Sequence, residues 1–145
     1  MVERSMIAET IADLQKEEGW RSVPYKDTEG LWTVGWGFLV DPSKPWMLPR
    51  EVGDVWLKYI VERTYEDLLG RLPWLIDQDE DVQRALLQMA YQMGVDGLLG
   101  FKDMLASLQW GDRDEAADEA LDSKWARQTP ARANRVAHLL RGDDI

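Results

Sequence analysis

Residues 17–38 read EEGWRSVPYKDTEGLWTVGWGF, the chain's densest group of tryptophan, glycine and acidic residues. This stretch predicts the end of an amphipathic helix followed directly by a short β-hairpin. Gly19 supplies the helix stop, since glycine readily adopts the left-handed conformation that ends many helices. We therefore expect this helix-to-hairpin junction to shape the molecule.

An apolar stripe in the helix before the junction leads to Glu18. Ile7, Ile11 and Leu14 follow the i, i+4, i+7 spacing of one helix face, and Glu18 stands four residues further along it. Glu17 lies about 100° around the helix and is predicted to face water. A carboxyl group on an apolar face is partly desolvated, which raises its pKa toward the range that a general acid needs. The alternative is that Glu18 is an ordinary surface glutamate at a helix end.

The hairpin adds a second carboxylate and a hydroxyl group. Asp27 and Gly30 occupy the first and fourth positions of a predicted type I turn. A single strand is predicted over 31–38, with one large apolar face and one small face. The large face carries Trp32, Val34, Trp36 and Phe38, and the small face carries Leu31, Thr33, Gly35 and Gly37. Asp27 and Thr33 are expected to point into the same space, where glycines allow close approach to the backbone. Turn formation alone is the alternative role for Asp27, and the two roles are compatible.

The rest of the chain predicts a series of helices. Pro49 favours a helix that runs to about Leu69, and the stretch 41–45 before it is predicted to break regular structure. The apolar face of that helix carries Val52, Val55, Trp56, Tyr59 and Ile60. Gly94 is predicted to end a buried helix whose stripe is Val82, Leu86, Met89 and Met93. Further helices are predicted over 101–109, from Asp112, and from Thr129-Pro130 to Arg141. Trp32, Trp36 and Trp56 are assigned to the core.

Three blocks of sequence together match a known pattern. In the first, Glu18 is followed by eight residues and Asp27, then by five residues and Thr33. The second covers YQMG at 91–94 and the segment 97–101, and the third covers 123–130 with Arg132 and Arg135. In this order, and over most of the chain, the blocks resemble the phage-type lysozymes of glycoside hydrolase family 24, which are endolysins.

The resemblance implies a lysozyme-like α+β fold that is mainly α. A small β-hairpin lobe, about residues 15–48, and a larger helical lobe, about 70–145, are joined by a long helix at about 49–69. The N-terminal helix packs on the large lobe, and residues 1–145 form a single domain, which the chain length allows.

The resemblance also implies a muramidase that cleaves the β-1,4 bond between N-acetylmuramic acid and N-acetylglucosamine in peptidoglycan glycan strands. Glu18 is the implied acid, and Thr33 positions water beside Asp27, the implied base. Because Glu18 comes from a helix end and Asp27 from a turn, we expect them on opposite walls of a cleft, which suits inversion. The implied substrate-binding residues are Glu29, Leu39, Tyr91, Gln92, Lys124 and Arg132. Arg132 is expected beside Glu18, and an ion pair between Lys124 and Glu29 is expected across the cleft opening.

Composition limits the partners and the compartment. With no cysteine and one histidine, His138, the chain predicts no disulfide framework, no metal site and no cofactor. No apolar run approaches the roughly 20 residues of a membrane span, so stable membrane insertion is not expected. The N-terminus predicts an amphipathic helix and not a signal peptide. We expect a monomer made in the host cytoplasm that acts on the periplasmic cell wall after a separate holin opens the membrane.

The formal net charge of −10 argues against nucleic acid as a partner. It also removes long-range attraction to an anionic wall polymer. The segment 124–141 nevertheless contains five basic residues and no acid: Lys124, Arg127, Arg132, Arg135 and Arg141. A local basic patch is predicted there, because charges more than about 8 Å apart are largely screened at physiological salt.

Three other functions are alternatives to a hydrolysing lysozyme. A lytic transglycosylase forms an anhydro-sugar without a second carboxylate, and Asp27 counts against it. A non-catalytic lysozyme-fold module that binds or supports the wall would not need the set of Glu18, Asp27 and Thr33. An acidic helical protein that binds another protein would explain the charge but not the hairpin.

Overall fold

A computed structural model describes residues 2–41 and 47–143, and the side chains from residue 5 onward within those ranges. The predicted break at 41–45 lies outside the described residues except for Asp41. In chain order the elements are α1 (Val2–Glu18), β1 (Arg21–Lys26), β2 (Trp32–Gly35), β3 (Phe38–Leu39), α2 (Arg50–Arg71), a 3-10 helix (Pro73–Asp77), α3 (Glu80–Leu99), α4 (Lys102–Gln109), α5 (Arg113–Leu121), α6 (Lys124–Gln128) and α7 (Pro130–Arg141). The expectation of a mainly helical α+β fold is confirmed. We call β1–β3 the small lobe and α3–α7 the large lobe.

Helix α1 packs against α2 and α3 and ends where the sequence predicts. Met6, Ile7 and Leu14 are buried on its inner face. Gly19 takes a left-handed φ of 70° and donates its N–H to the carbonyl of Gln15 at 3.1 Å. This closure places Glu18 at the last helical position, where the chain turns toward the sheet.

The sheet is antiparallel in the order β1-β2-β3, and the prediction of one strand over 31–38 is wrong. The chain reverses between Gly35 and Phe38, and this reversal uses the positive φ angles of Gly35 and Gly37, 67° and 82°. Thr33 is thereby paired with Tyr25 on one side and Leu39 on the other. The turn from Asp27 to Gly30 is confirmed by a bond from the Gly30 N–H to the Asp27 carbonyl at 3.0 Å.

The assignment of tryptophans to the core is correct for Trp36 and wrong for Trp32. Trp36 is buried, but Trp32 keeps 37% of its surface exposed. Trp32 pairs with Lys26 beside the hairpin turn, and the Lys26 amine lies 5.6 Å from its ring centroid. Its place at the hairpin tip leaves one side of the indole in water. Trp56 is half-buried and stacks on Phe38 with ring centroids 4.3 Å apart.

Helix α2 has the predicted length but buries a different face. Val55 is 71% exposed, and Val52 and Tyr59 are exposed beside it. The buried positions are Gly53, Leu57, Val61, Tyr65 and Leu68. The side chain of Trp20 fills the space at Gly53, where a Cβ would lie 2.4 Å from the indole. The sequence carries two apolar stripes on this helix, and the longer one faces the core.

The large lobe follows the predicted helices closely. Val82, Leu86 and Met89 are buried in α3, which kinks at Gly94 with φ 82° and packs against α1, α2 and α7. Helix α6 was not predicted; it begins where the Ser123 hydroxyl accepts the N–H of Ala126 at 3.1 Å. No helix in the described ranges has both the length and the apolar character needed to cross a bilayer.

Candidate active site

A cleft of about 400 Å³ lies between the small lobe and residues of α1, α3 and α7. It brings together most of the residues selected from the sequence. These are Glu18, Asp27, Glu29, Thr33, Leu39, Tyr91, Gln92 and Arg132. The cleft walls thus combine carboxylates, hydroxyl groups, an amide and a cation, with apolar surface from Leu39.

Glu18 reaches the cleft from the end of α1 and is held from two sides. Its side chain is 22% exposed, and its Oε1 accepts a hydrogen bond from Arg132 Nη1 at 3.3 Å. On the other side lies Gly37, where an added Cβ would stand 2.7 Å from Glu18 Oε2. The glycine at position 37 therefore makes the space that the carboxyl group occupies.

The surroundings of Glu18 favour its protonated form. Burial is the largest effect and raises the pKa of Glu18 above its ordinary value. The charge and hydrogen bond of Arg132 oppose this increase, while the negative charges of Glu17 and Asp27 add to it. The net result is a raised pKa, which is the direction that a general acid near neutral pH requires.

The prediction that Glu17 faces water is wrong. Its side chain is only 10% exposed, and both carboxylate oxygens accept hydrogen bonds from Arg135, at 2.6 and 2.8 Å. Burial acts to raise the pKa of Glu17, but Arg135, Arg132 and Lys16 together hold the pKa below its ordinary value. The side chains of Arg132 and Arg135 reach this side of α1 from α7, which the apolar stripe of α1 alone does not reveal.

Asp27 is fixed by its own turn. Its Oδ1 accepts the backbone N–H groups of Glu29 and Leu31 at 2.9 and 2.8 Å. One carboxylate oxygen is thus occupied by the hairpin, and the rotation of the group is restricted. The two roles considered from the sequence, turn former and cleft carboxylate, therefore coexist in one residue.

Thr33 is 3% exposed and presents its hydroxyl group at the cleft. The hydroxyl lies 3.4 Å from the carbonyl oxygen of Tyr25, its partner across the β1–β2 pair. A bond this long is weak, so the hydroxyl is not firmly committed to this acceptor.

Tyr91 and Gln92 enter the cleft from the last turn of α3 before Gly94. The Tyr91 hydroxyl donates to the carbonyl of Trp36 at 2.8 Å and so ties the large lobe to the β2–β3 turn. Burial and the nearby charge of Glu18 raise the pKa of Tyr91, which keeps its proton on this bond. Gln92 accepts the indole N–H of Trp125 at 2.8 Å, which fixes its side-chain amide.

Lys124 lies apart from the other selected residues. It lines a second depression of about 440 Å³ with Phe101 and Trp125, and it does not line the cleft. The predicted ion pair between Lys124 and Glu29 is not formed in the described structure.

The predicted basic patch in 124–141 is mostly neutralised, because three arginines of α7 form ion pairs with carboxylates on neighbouring helices. Arg132 pairs with Glu18, Arg135 with Glu17 and Arg141 with Asp118.

Five cleft residues are not in the predicted site set: Tyr25, Thr28, Leu31, Gly37 and Thr129. Leu31 and Gly37 do lie on the small hairpin face that was predicted to adjoin the site. Tyr25 was open to prediction, because a hairpin closed by the Asp27 turn pairs it with Thr33. Thr129 was assigned only as a helix cap, and its place in the cleft depends on how α7 packs. Among the described residues, no group of three or more His, Cys, Asp or Glu side chains is arranged to hold a metal ion.

Residues 15–141 match the family model for phage lysozyme. The chain belongs to the phage lysozyme family. The match includes all the cleft residues named above and both lobes. Membership places the chain among the lysozyme-type glycoside hydrolases and confirms the family expected from the sequence blocks.

Individual relatives show the same likeness. The chain is 31% identical over 152 residues to the pre-baseplate central spike protein Gp5 of Enterobacteria phage T4, covering 88% of this chain but 26% of that protein. It is 29% identical over 161 residues to probable T4-type lysozyme 1 of Dictyostelium discoideum, covering 90% of this chain and 93% of the relative. For probable T4-type lysozyme 2 of the same organism the identity is 29% over 150 residues, with 85% and 88% covered. The chain thus spans about a quarter of the spike protein and most of each Dictyostelium protein.

Proposed function

We propose that this chain is a muramidase that hydrolyses the β-1,4 bond between N-acetylmuramic acid and N-acetylglucosamine in peptidoglycan. The observation that carries the proposal is the partly desolvated carboxyl group of Glu18 in a cleft with Asp27 and Thr33. Membership of the phage lysozyme family and the names of the Dictyostelium relatives support the same chemistry.

In the proposed reaction Glu18 is the general acid. Its carboxyl group donates a proton to the glycosidic oxygen as the bond from that oxygen to the anomeric carbon breaks. Burial supports this role because it raises the pKa of Glu18 and so favours the protonated form. The hydrogen bond from Arg132 then stabilises the carboxylate that the proton transfer leaves.

A water molecule held by Asp27 and Thr33 supplies the nucleophile. Its oxygen forms a bond to the anomeric carbon from the side opposite the leaving group, and Asp27 accepts one of its protons. The two backbone bonds to Asp27 support this role by fixing the direction of its carboxylate. Attack from the opposite side inverts the configuration and releases the α anomer first.

The remaining cleft residues are proposed to bind sugar units. Glu29, Gln92 and Arg132 offer hydrogen bonds, and Leu39 and Tyr91 offer surface for the less polar faces of the rings. Lys124 would contact only a strand long enough to leave the cleft and pass over α6. Neither a metal ion nor a cofactor takes part in this proposal.

Turbidity loss of chloroform-treated Gram-negative cells, with mass spectrometry of the released muropeptides, tests the function. Hydrolysis gives fragments with a reducing N-acetylmuramic acid end, and Glu18→Gln should release none at a comparable rate. Anhydro fragments, lighter by one water, would make the chain a lytic transglycosylase. Binding to walls without any release would make it a non-catalytic module.

We further propose a role in host lysis. In this setting residues 1–145 act as one monomeric domain, made in the host cytoplasm and admitted to the periplasmic wall when a separate holin opens the membrane. The likeness to a central spike protein supports a different setting, in which the same chemistry belongs to a virion part. Expression in bacteria with and without a holin distinguishes the two, because the host-lysis role predicts abrupt lysis only when both proteins are present.

A further inference from the structure

Glu17 is half-buried next to Glu18 at the end of α1, and its carboxylate lies close to two arginines. Arg135 binds both of its oxygens, and Arg132 Nε lies 3.8 Å from its Oε2. The mechanism proposed above does not use Glu17. Its negative charge nevertheless acts on Glu18 directly, and it also attracts Arg132, the cation that binds Glu18.

Arg132 stands between two adjacent carboxylates. It gives Glu18 a single hydrogen bond of 3.3 Å, although arginine and carboxylate groups commonly form two parallel bonds. Its Nη2 is buried and has no hydrogen-bond partner in the described part of the chain. The guanidinium group is therefore shared between Glu17 and Glu18 and is not fully committed to either.

We propose that Glu17 is a positioning residue for the general acid. By attracting Arg132, it limits Arg132 to one hydrogen bond with Glu18 and so leaves Glu18 able to carry the proton that it donates. This inference rests on the proposed role of Glu18 as acid.

The charges around both carboxylates support this role. Glu18 faces Arg132 from α7, Asp27 from the hairpin and the neutral Tyr91 from α3, besides Glu17 itself. Glu17 faces Arg132 and Arg135 from α7, with Lys16 and Asp13 on its own helix. Removing the charge of Glu17 would leave two cations near Glu18 with one carboxylate fewer to balance them. Excess positive charge favours the ionised form of Glu18, which cannot act as an acid.

The test is the pH dependence of hydrolysis by Glu17→Gln. Activity that needs a protonated Glu18 falls as the pH rises past the pKa of Glu18. In Glu17→Gln this alkaline limb should move to lower pH by about one unit, while activity below the limb stays within about twofold of wild type. Glu17→Asp keeps the charge, so its alkaline limb should lie within about 0.5 pH unit of the wild-type position.

Arg135→Gln provides a test of opposite sign. It leaves Glu17 without its main partner, so Glu17 competes more strongly for Arg132 and the limb should move to higher pH. This variant also decides the question if Glu17→Gln does not fold. Titration of the Glu18 side-chain carboxyl carbon by ¹³C NMR follows the same shifts without depending on activity.

Asp13→Asn is the matched control. Asp13 also lies on α1, and it accepts bonds from Arg84 and Gln88 of α3 at 2.8 to 3.2 Å, away from Glu18. It should leave the limb in place, whatever its effect on the melting temperature. The inference is overturned if the alkaline limb stays in place in both Glu17→Gln and Arg135→Gln. In that case their activity should follow melting temperature alone, as in Asp13→Asn. Substantial activity in Glu18→Gln would instead overturn the acid role itself.

Discussion

The backbone of Gly37 lies directly against the carboxyl group of Glu18. The φ of 82° at Gly37 and the 2.7 Å that would separate an added Cβ from Glu18 Oε2 both require glycine at this position. The turn that carries Gly37 is held by the bond from the Tyr91 hydroxyl to the Trp36 carbonyl. One wall of the space around the Glu18 carboxyl is therefore a reversal of the main chain and not a side chain.

Gly37→Ala should reduce hydrolysis at least tenfold. The new methyl group would displace the Glu18 carboxyl, and the left-handed backbone would cost about 1–2 kcal/mol of stability. Turbidity assays and thermal melting measure the two effects. Gly111→Ala is the control, because Gly111 has a φ of 85° and open space around it. It should lose similar stability and no activity; equal activity in both variants would contradict the close fit of Gly37 against Glu18.

Glu18→Gln should lose activity by several orders of magnitude and gain stability at neutral pH. The raised pKa means that the folded chain binds the Glu18 proton more tightly than the unfolded chain does. The stability due to this proton is complete below the ordinary value of 4.5 and is lost as the pH rises through the folded pKa. Glutamine resembles the protonated side chain at every pH.

Thermal melting across pH checks this sign. The melting temperature of Glu18→Gln should exceed that of wild type near pH 7, and the difference should vanish in acid. A variant less stable than wild type at neutral pH would show that the Arg132 bond outweighs burial. More than a tenth of wild-type activity would remove Glu18 from the acid role.

Gln92→Ala should weaken hydrolysis much more than folding. The change removes a polar group from the cleft and leaves the Trp125 indole N–H without its acceptor. Trp125→Phe is the matched control, because it removes the same bond while Gln92 stays. If the two variants lose the same activity in proportion to melting temperature, Gln92 serves the packing of Trp125 and not the substrate.

The first sugar released should carry an α reducing end. This outcome follows if Asp27 and Thr33 direct water to the face opposite Glu18. Proton NMR of early products from an accepted chitooligosaccharide or muropeptide identifies the anomer before mutarotation. Thr33→Val, which removes the hydroxyl and keeps the shape, should slow the reaction without changing the anomer. An early β product would contradict the roles given to Asp27 and Thr33.

Local patterns were sufficient to predict the junction itself. The stop at Gly19, the turn from Asp27 to Gly30 and the last helix from Pro130 depend on residues that are neighbours in sequence. The cleft set centred on Glu18, Asp27 and Thr33 followed from spacing and resemblance together. Such features are determined by backbone preferences that act over a few residues.

Features set by distant packing were not predicted. Glu17 is paired with Arg135, 118 residues away, so its burial is invisible in the α1 stripe. On α2 both candidate faces are apolar, and the choice between them depends on Trp20 filling the space at Gly53. The strand over 31–38 divides because Gly35 and Gly37 both adopt positive φ, which the alternation of large and small residues does not indicate.

Arg132, Arg135 and Arg141 form ion pairs with carboxylates of the same chain, and this affects how the acidic protein interacts with charged polymers. Three of the five basic residues in 124–141 are paired with carboxylates of the chain. This segment therefore offers little unpaired positive charge to attract an anionic polymer to a protein whose net charge is −10. An approach to an anionic wall is then opposed by long-range repulsion. Since the screening length falls from about 30 Å at 0.01 M ionic strength to about 8 Å at 0.15 M, wall hydrolysis should become faster over that range.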